Sequence, residues 1–225
     1  MKRASDLFDE DQRRRINEAV AAAERRTAAE IVPAIATASG RYDRAEDLVG
    51  LWVGLVAMIV VWFVFRAAPP SGDWAAGWRW TAGVWPLVAA VLIGFVAGAG
   101  LASFCPVLRR LFIPRRELAA EVKRMARQVF FDSRLSRTTG RTGLLIFVSL
   151  YERRVVVLAD EAVSDALGES DLQAIRDDVL GGLRSKQACE GLCAAIARAG
   201  ELLESRLPIQ ADDTDELANE LVVLD

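Results

Sequence analysis

The sequence predicts an α/β fold, a small sheet flanked by helices, with a two-helix transmembrane hairpin inserted into it. Three observations carry this. Two apolar runs, residues 48–65 and 84–101, stand close together and contain no Asp, Glu, Lys or Arg. One strand-like segment precedes them and two follow, so neither flank can build a sheet alone. The chain is 26% charged while the runs hold none, so the flanks are densely charged and water-exposed.

The segments follow in order. Residues 9–26 read as an amphipathic helix: Asp9 and Gln12 form a capping-box-like start, and Ile16, Val20 and Ala23 make an apolar stripe. Residues 30–37 are short, apolar and partly β-branched, hence a strand. Pro33 has no N–H for a ladder bond, which predicts an edge position or a bulge. Ser39-Gly40 ends it.

Each apolar run is about 18 residues, and a helix of that length rises roughly 27 Å, near the thickness of a bilayer's hydrocarbon core. Arg41 and Arg44 precede the first run; Arg109, Arg110, Arg115 and Arg116 follow the second; the connection holds only Arg66 and Arg79. The positive-inside rule puts both flanks, and so both termini, in the cytoplasm of an inner-membrane protein. Trp74, Trp78, Trp80 and Trp85 cluster where an outer-interface aromatic belt would lie. Gly50 and Gly54 in the first run and Gly94 and Gly98 in the second form GxxxG patterns, which let helix backbones approach closely. They serve either packing of the two runs on each other or homodimerisation, the first being favoured.

After the hairpin, residues 117–131 repeat a helical stripe through Leu118, Val122, Met125 and Val129. A polar turn at 137–141 leads to 143–149, a nearly continuous apolar strand of the kind covered on both faces. Residues 151–153 reverse the chain into 154–159, its expected hairpin partner. Two helices follow at 171–186 and 188–205, and Pro208 stops the second. Residues 211–225 read as an acidic tail with few partners. The domain layout is therefore a soluble α/β domain in two parts, 1–47 and 109–208, a hairpin at 48–108 and a tail at 209–225.

Composition narrows the chemistry. The net charge is −3, from 28 basic and 31 acidic residues, with no global bias toward nucleic acid. The absence of histidine excludes His-based triads, His-ligated zinc and His general bases. Cys189 and Cys193 stand at i and i+4 and read as two small buried side chains rather than a redox or metal pair; with Cys105 they make an odd number without CxxC spacing, which fits a reducing compartment. Residues 1–15 have a basic start without an apolar core behind it, unlike a cleavable signal peptide.

Asp160, Glu161 and Asp165, with Glu30 from the start of the first strand, are the candidate site. Hard carboxylate oxygens at strand ends suit Ca²⁺ or Mg²⁺. The rival reading, and the preferred one, is helix capping and dipole pairing. Ser149 and Ser164 have neither a His base nor an elbow motif, and 138–143 precedes a strand rather than joining strand to helix, so it is no P-loop. Arg153-Arg154 is a surface pair or an anionic-lipid contact.

Three segments resemble the TPM domain family, named for thylakoid lumen, photosystem II repair and receptor-auxiliary proteins. Residues 23–32, with Thr27 and Glu30 ahead of the first strand, are similar to that family's helix-to-strand entry. Residues 141–149 with Glu152, Arg153, Arg154 and Val155 are similar to its (N/T)GxLLxV…xRxV hairpin. Residues 190–196 with Leu203 and Pro208 are similar to its closing helix. The sequence departs after the second hairpin strand, where many members carry Gly-x-Gly and this chain reads Leu158-Ala159-Asp160-Glu161-Ala162. The resemblance, to a bacterial membrane-embedded subgroup, implies a TPM-like fold; acid phosphatase activity and calcium binding are attributed to some members.

These readings together predict a membrane-anchored, non-enzymatic accessory, assembly or quality-control protein. Its expected partners are the lipid bilayer and another membrane protein, with a homodimer as a further option and no nucleic acid. The alternative is a divalent-metal-dependent acid phosphatase.

Overall fold

A computed structural model describes residues 3–40, 43–65, 84–105, 113–138, 140–209, 217 and 219–225. The chain divides into two compact units, residues 1–40 with 118–225, and residues 41–117.

The first unit is a mixed four-stranded sheet in the order β3-β2-β1-β4, flanked by helices. Its strands are β1 (Glu30–Ala36), β2 (Gly143–Ser149), β3 (Arg154–Ala159) and β4 (Val222–Leu224). β1 runs parallel to β2, from Glu30↔Gly143 to Ala36↔Ser149, and β3 returns antiparallel to β2, from Leu144↔Ala159 to Ser149↔Arg154. Every residue of β1 and β2 is buried, as continuous apolar strands covered on both faces must be.

Period-two alternation assigns the two faces. Ile31, Ile35, Leu144, Ile146 and Val148 pack with helices α1 (Glu10–Glu24), α6 (Glu169–Arg184) and α7 (Ala188–Glu204) and with Val163 of the short α5 (Glu161–Ala166). Val32, Ala34, Leu145 and Phe147 pack with Val122, Ala126, Val129 and Phe130 of α4 (Arg115–Asp132) and with Leu135 of the 3₁₀ turn after it. One face is thus layered by several helices and the other by α4.

Local chemistry sets the helix ends. Asp9 Oδ1 accepts from Gln12 N at 2.7 Å and Gln12 Oε1 accepts from Asp9 N at 3.1 Å, a complete capping box at the start of α1. α6 and α7 meet backbone to backbone, since a Cβ on Gly182 would lie 2.5 Å from the Gly191 Cα.

Two expectations need correction. The chain beyond 209 is not all unpartnered: β4 lies parallel to β1 with Ala34↔Val222 and Ala36↔Leu224, and the Asp225 side chain accepts from Thr37 Oγ1 at 2.8 Å. β1 is accordingly an interior strand despite Pro33. The N–H groups of Glu30 and Ile31 point to opposite sides, toward Thr142 O and Glu24 Oε1, and Thr37 N donates to Leu224 O. Alternation therefore turns the Pro33 nitrogen to the β4 side. β4 starts only opposite Ala34, so at Pro33 that side is still an open edge and no ladder bond is lost.

The second unit holds α2 (Asp43–Phe65) and α3 (Val84–Phe104). Gly50 and Gly54 of α2 meet Phe95 and Val91 of α3, while Gly94 and Gly98 meet Gly54 and Gly50. The contacts run in opposite chain order, so the helices are antiparallel. Ser103 Oγ near the end of α3 donates to Glu46 Oε2 near the start of α2 at 2.9 Å. Trp74, Trp78, Trp80 and the arginines at 41, 66, 79, 109 and 110 lie outside the described residues.

Candidate functional site

The parallel strands β1 and β2 begin where β3 ends, so Glu30, Asp160 and Glu161 lie at the amino edge of the parallel pair. In α/β sheets ligands gather at the carboxyl ends of parallel strands. The expected placement of these carboxylates at a ligand-binding edge therefore holds for β3 alone, because β3 runs the other way.

Each of the four has a defined place. Asp160 is the N-cap of α5: its N–H donates to Gly143 O at 2.8 Å, and its Oδ1 accepts from Glu161 N at 2.8 Å. Glu161 pairs with Arg141, the residue two before β2. Asp165 faces solvent on α5. Glu30 is buried at the first position of β1, with its N–H donating to Thr142 O at 3.2 Å.

Among the described residues no three or more His, Cys, Asp or Glu side chains converge as a metal group. Asp160 Oδ2 is buried without a hydrogen-bond partner among the described residues.

The carboxyl edge holds a polar network that no local sequence pattern marks. Glu152, in the β2–β3 reversal, is only 2% exposed. Its Oε1 accepts from Ser39 N at 2.9 Å, its Oε2 accepts from Ser149 Oγ, and Ser39 Oγ donates to Ser149 Oγ at 2.8 Å. A serine hydroxyl on a carboxylate has the outline of a nucleophile and its base. Here Ser149 is 1% exposed and both groups are closed off from any substrate, so the contact does different work. It ties the chain leaving β1 to the turn after β2. A shallow surface groove lies elsewhere, along Glu10, Arg13, Asn17 and Ala21 of α1, and includes none of these residues. No spacing rule marks the network: Ser149 and Glu152 are local to the β2–β3 reversal, and Ser39 joins them only through the parallel register of β1 with β2.

Beside it, Thr37 Oγ1 accepts from Ala4 N at 2.7 Å and donates to Asp225 Oδ1, which also accepts from Ser5 N at 3.2 Å. Hydrogen bonds from Ser5 and Thr37 hold the Asp225 carboxyl down at about 2, well below the usual carboxylate range.

In the second unit the glycines are the contact surface. A Cβ on Gly94 would lie 2.8 Å from Gly54 Cα, and one on Gly98 would lie 2.8 Å from Val53 Cβ. Large apolar side chains face away from this seam, Phe63, Ile93 and Val96 being 67% to 70% exposed. Spans 46–64 and 84–104 both have mean hydropathy 2.3, and both are long and apolar enough to cross a membrane.

No family model matches the chain, and no curated protein sequence matches it. A solved structure is similar in fold: the NMR structure of BA42 protein from the psychrophilic bacterium Bizionia argentinensis, at 16% identity and a TM-score of 0.56, covering 96% of this chain and 94% of that one. At that identity the likeness shows the fold alone.

The cysteines also have defined surroundings. Cys189 is buried and Cys193 half-buried on α7, with their thiols near Gln12 O and Arg15 O of α1. Burial raises both, the Cys193 thiol to about 11, which keeps them protonated and unreactive at neutral pH.

Proposed function

We propose that this chain is a membrane-anchored, non-enzymatic accessory protein, its α/β unit held at the cytoplasmic face of the inner membrane by α2 and α3 as a spanning hairpin. It serves assembly or quality control by engaging a membrane-protein partner. The observation that carries this reading is the inverted dressing of the helix pair. Small residues face inward, large apolar ones face outward, and only 17% of each 18-residue window is buried. A core helix of a water-soluble protein is mostly buried; a helix solvated by lipid presents its large apolar side chains outward, because lipid tails are as apolar as they are.

The cation asymmetry around the two runs supports the orientation. Resemblance of three segments to TPM domains supports an α/β accessory unit and is compatible with anchoring. The metal-dependent phosphatase reading draws less support, since Asp160 caps a helix and Glu161 pairs with Arg141.

Two measurements test the proposal. The protein should resist alkaline carbonate extraction from membranes, and reporters fused at residue 73 and after Asp225 should report opposite sides. Cross-linking in native membranes should then return a reproducible membrane-protein partner. Complete extraction by carbonate would defeat the anchoring, and a clean monomer with no partner would defeat the accessory role.

A further inference from the structure

We infer that the outer face of α4 is a docking surface for anionic lipid headgroups, laying that helix along the membrane surface. The inference rests on the bilayer-spanning reading of α2 and α3.

Three observations lead to it. At about 100° per residue, Arg116, Lys123 and Arg127, at i, i+7 and i+11, fall within roughly 40° of one another on α4. All three are exposed, and none has an ion-pair partner among the described residues. Opposite them on the helix, Leu118, Val122, Ala126 and Val129 are buried. The acidic residues Glu117, Glu121 and Asp132 lie on the remaining flank, so the stripe itself is purely cationic.

The second observation is a charge polarity across the sheet. Helix α4 carries five Arg or Lys against three Asp or Glu. The helices on the other face, α1, α6 and α7, together carry six Arg against eleven Asp or Glu. A surface bearing anionic lipid attracts the first face and repels the second, so it orients the unit as well as binding it.

The third is reach and an aromatic. Only ten residues separate Phe104, the end of α3, from Arg115. An extended chain of that length spans at most about 35 Å. Phe131, on the same side of the helix as the stripe, is 64% exposed, an apolar side chain of the kind that interfacial helices bury at the headgroup boundary.

Each cation near an anionic surface is worth about fivefold in partition, so neutralising three should weaken docking roughly a hundredfold. The test uses the full chain with Cys105→Ser, Cys189→Ala, Cys193→Ala and Ala120→Cys, labelled at position 120 with a fluorophore. It is reconstituted in vesicles of phosphatidylcholine alone or with phosphatidylglycerol, each doped with headgroup spin label. Quenching should be strong with phosphatidylglycerol, weak without it, and lost near 0.5 M salt, where the Debye length is roughly 4 Å. Arg116→Gln, Lys123→Gln and Arg127→Gln together should abolish it, while Arg116→Lys with Arg127→Lys should retain it. Equal quenching in both vesicle types, or quenching untouched by the triple substitution, overturns the inference. So does a stripe that instead binds a DNA duplex with the same salt and variant dependence. Carbonate extraction of the same sample separates the two readings: retention with failed quenching sinks only the docking, whereas extraction sinks the hairpin and the docking with it.

Discussion

Gly54 and Gly94 touch backbone to backbone across α2 and α3, a Cβ on Gly94 lying 2.8 Å from the Gly54 Cα and 3.1 Å from the Ala57 Cβ. No rotamer relieves such a clash, because the atoms in the way are main chain or Cβ. Gly94→Leu should force the helices apart at a cost of about 1–3 kcal/mol. Cysteines placed across the seam, for example Ala57→Cys with Val91→Cys, should lose cross-linking in this background. Gly100→Leu, with nothing within 4 Å of its Cβ position, is the control that should leave cross-linking intact.

Phe147 sits fully buried in β2 between Val148 and Ile146 of the opposite face, packed toward α4. Phe147→Ala removes most of that side chain from a close-packed interior and should destabilise the α/β unit by about 3–5 kcal/mol. Chemical denaturation in detergent would show it as a lowered midpoint at unchanged slope. An effect below about 1 kcal/mol would mean that α4 does not cover this face in solution.

Asp160→Ala should destabilise by about 1 kcal/mol through loss of the α5 cap, and Asp160→Asn should be nearly neutral, because Asn caps as well as Asp. Phosphomonoesters with Mg²⁺ or Ca²⁺ should not be hydrolysed by the wild-type protein. Hydrolysis that disappears in Asp160→Asn would reinstate a catalytic carboxylate there.

Asp225 links pH to the attachment of β4. Its carboxyl is held down at about 2 by bonds from Ser5 and Thr37, below its value in an unfolded chain. A depressed acid stabilises the fold above its unfolded value, near 4, and that contribution disappears as pH falls through about 2. Amide protection in β4, taken relative to the intrinsic exchange rate at each pH, should therefore fall between pH 4 and 2, and in Asp225→Asn it should already be low at neutral pH. Exchange in β4 that ignores this substitution would place the hold on that strand elsewhere.

Cys193, raised to about 11 by burial, should react slowly with iodoacetamide at pH 8, and unfolding in urea should release it. Rapid alkylation of Cys193 itself in the native protein would contradict the close packing of α7 on α1.

Most elements of this fold are legible in local patterns. The capping pair Asp9–Gln12, the stripe Ile16–Val20–Ala23 and the alternation into two faces of β2 depend on spacing, and spacing is present in the sequence. β4 was not legible, because three apolar residues behind an acidic stretch have no periodicity and are ordered only by the edge of β1. The role of Glu152 was hidden for the same reason: its partner Ser39 lies 113 positions away.

Short-range chemistry sets the two apolar helices, their glycine seams, the amphipathic helices and the β2–β3 hairpin, and each of these is written in local spacing. Long-range pairing places Pro33 in an interior strand, packs Gly50, Gly54, Gly94 and Gly98 against each other within one chain, and puts Asp160 at a helix cap on the amino edge of the parallel pair. Strand order and register are set by burial of side chains far apart in the chain. A carboxylate's task follows from which strand end it occupies, and strand direction within a sheet is a property of pairing, not of the strand.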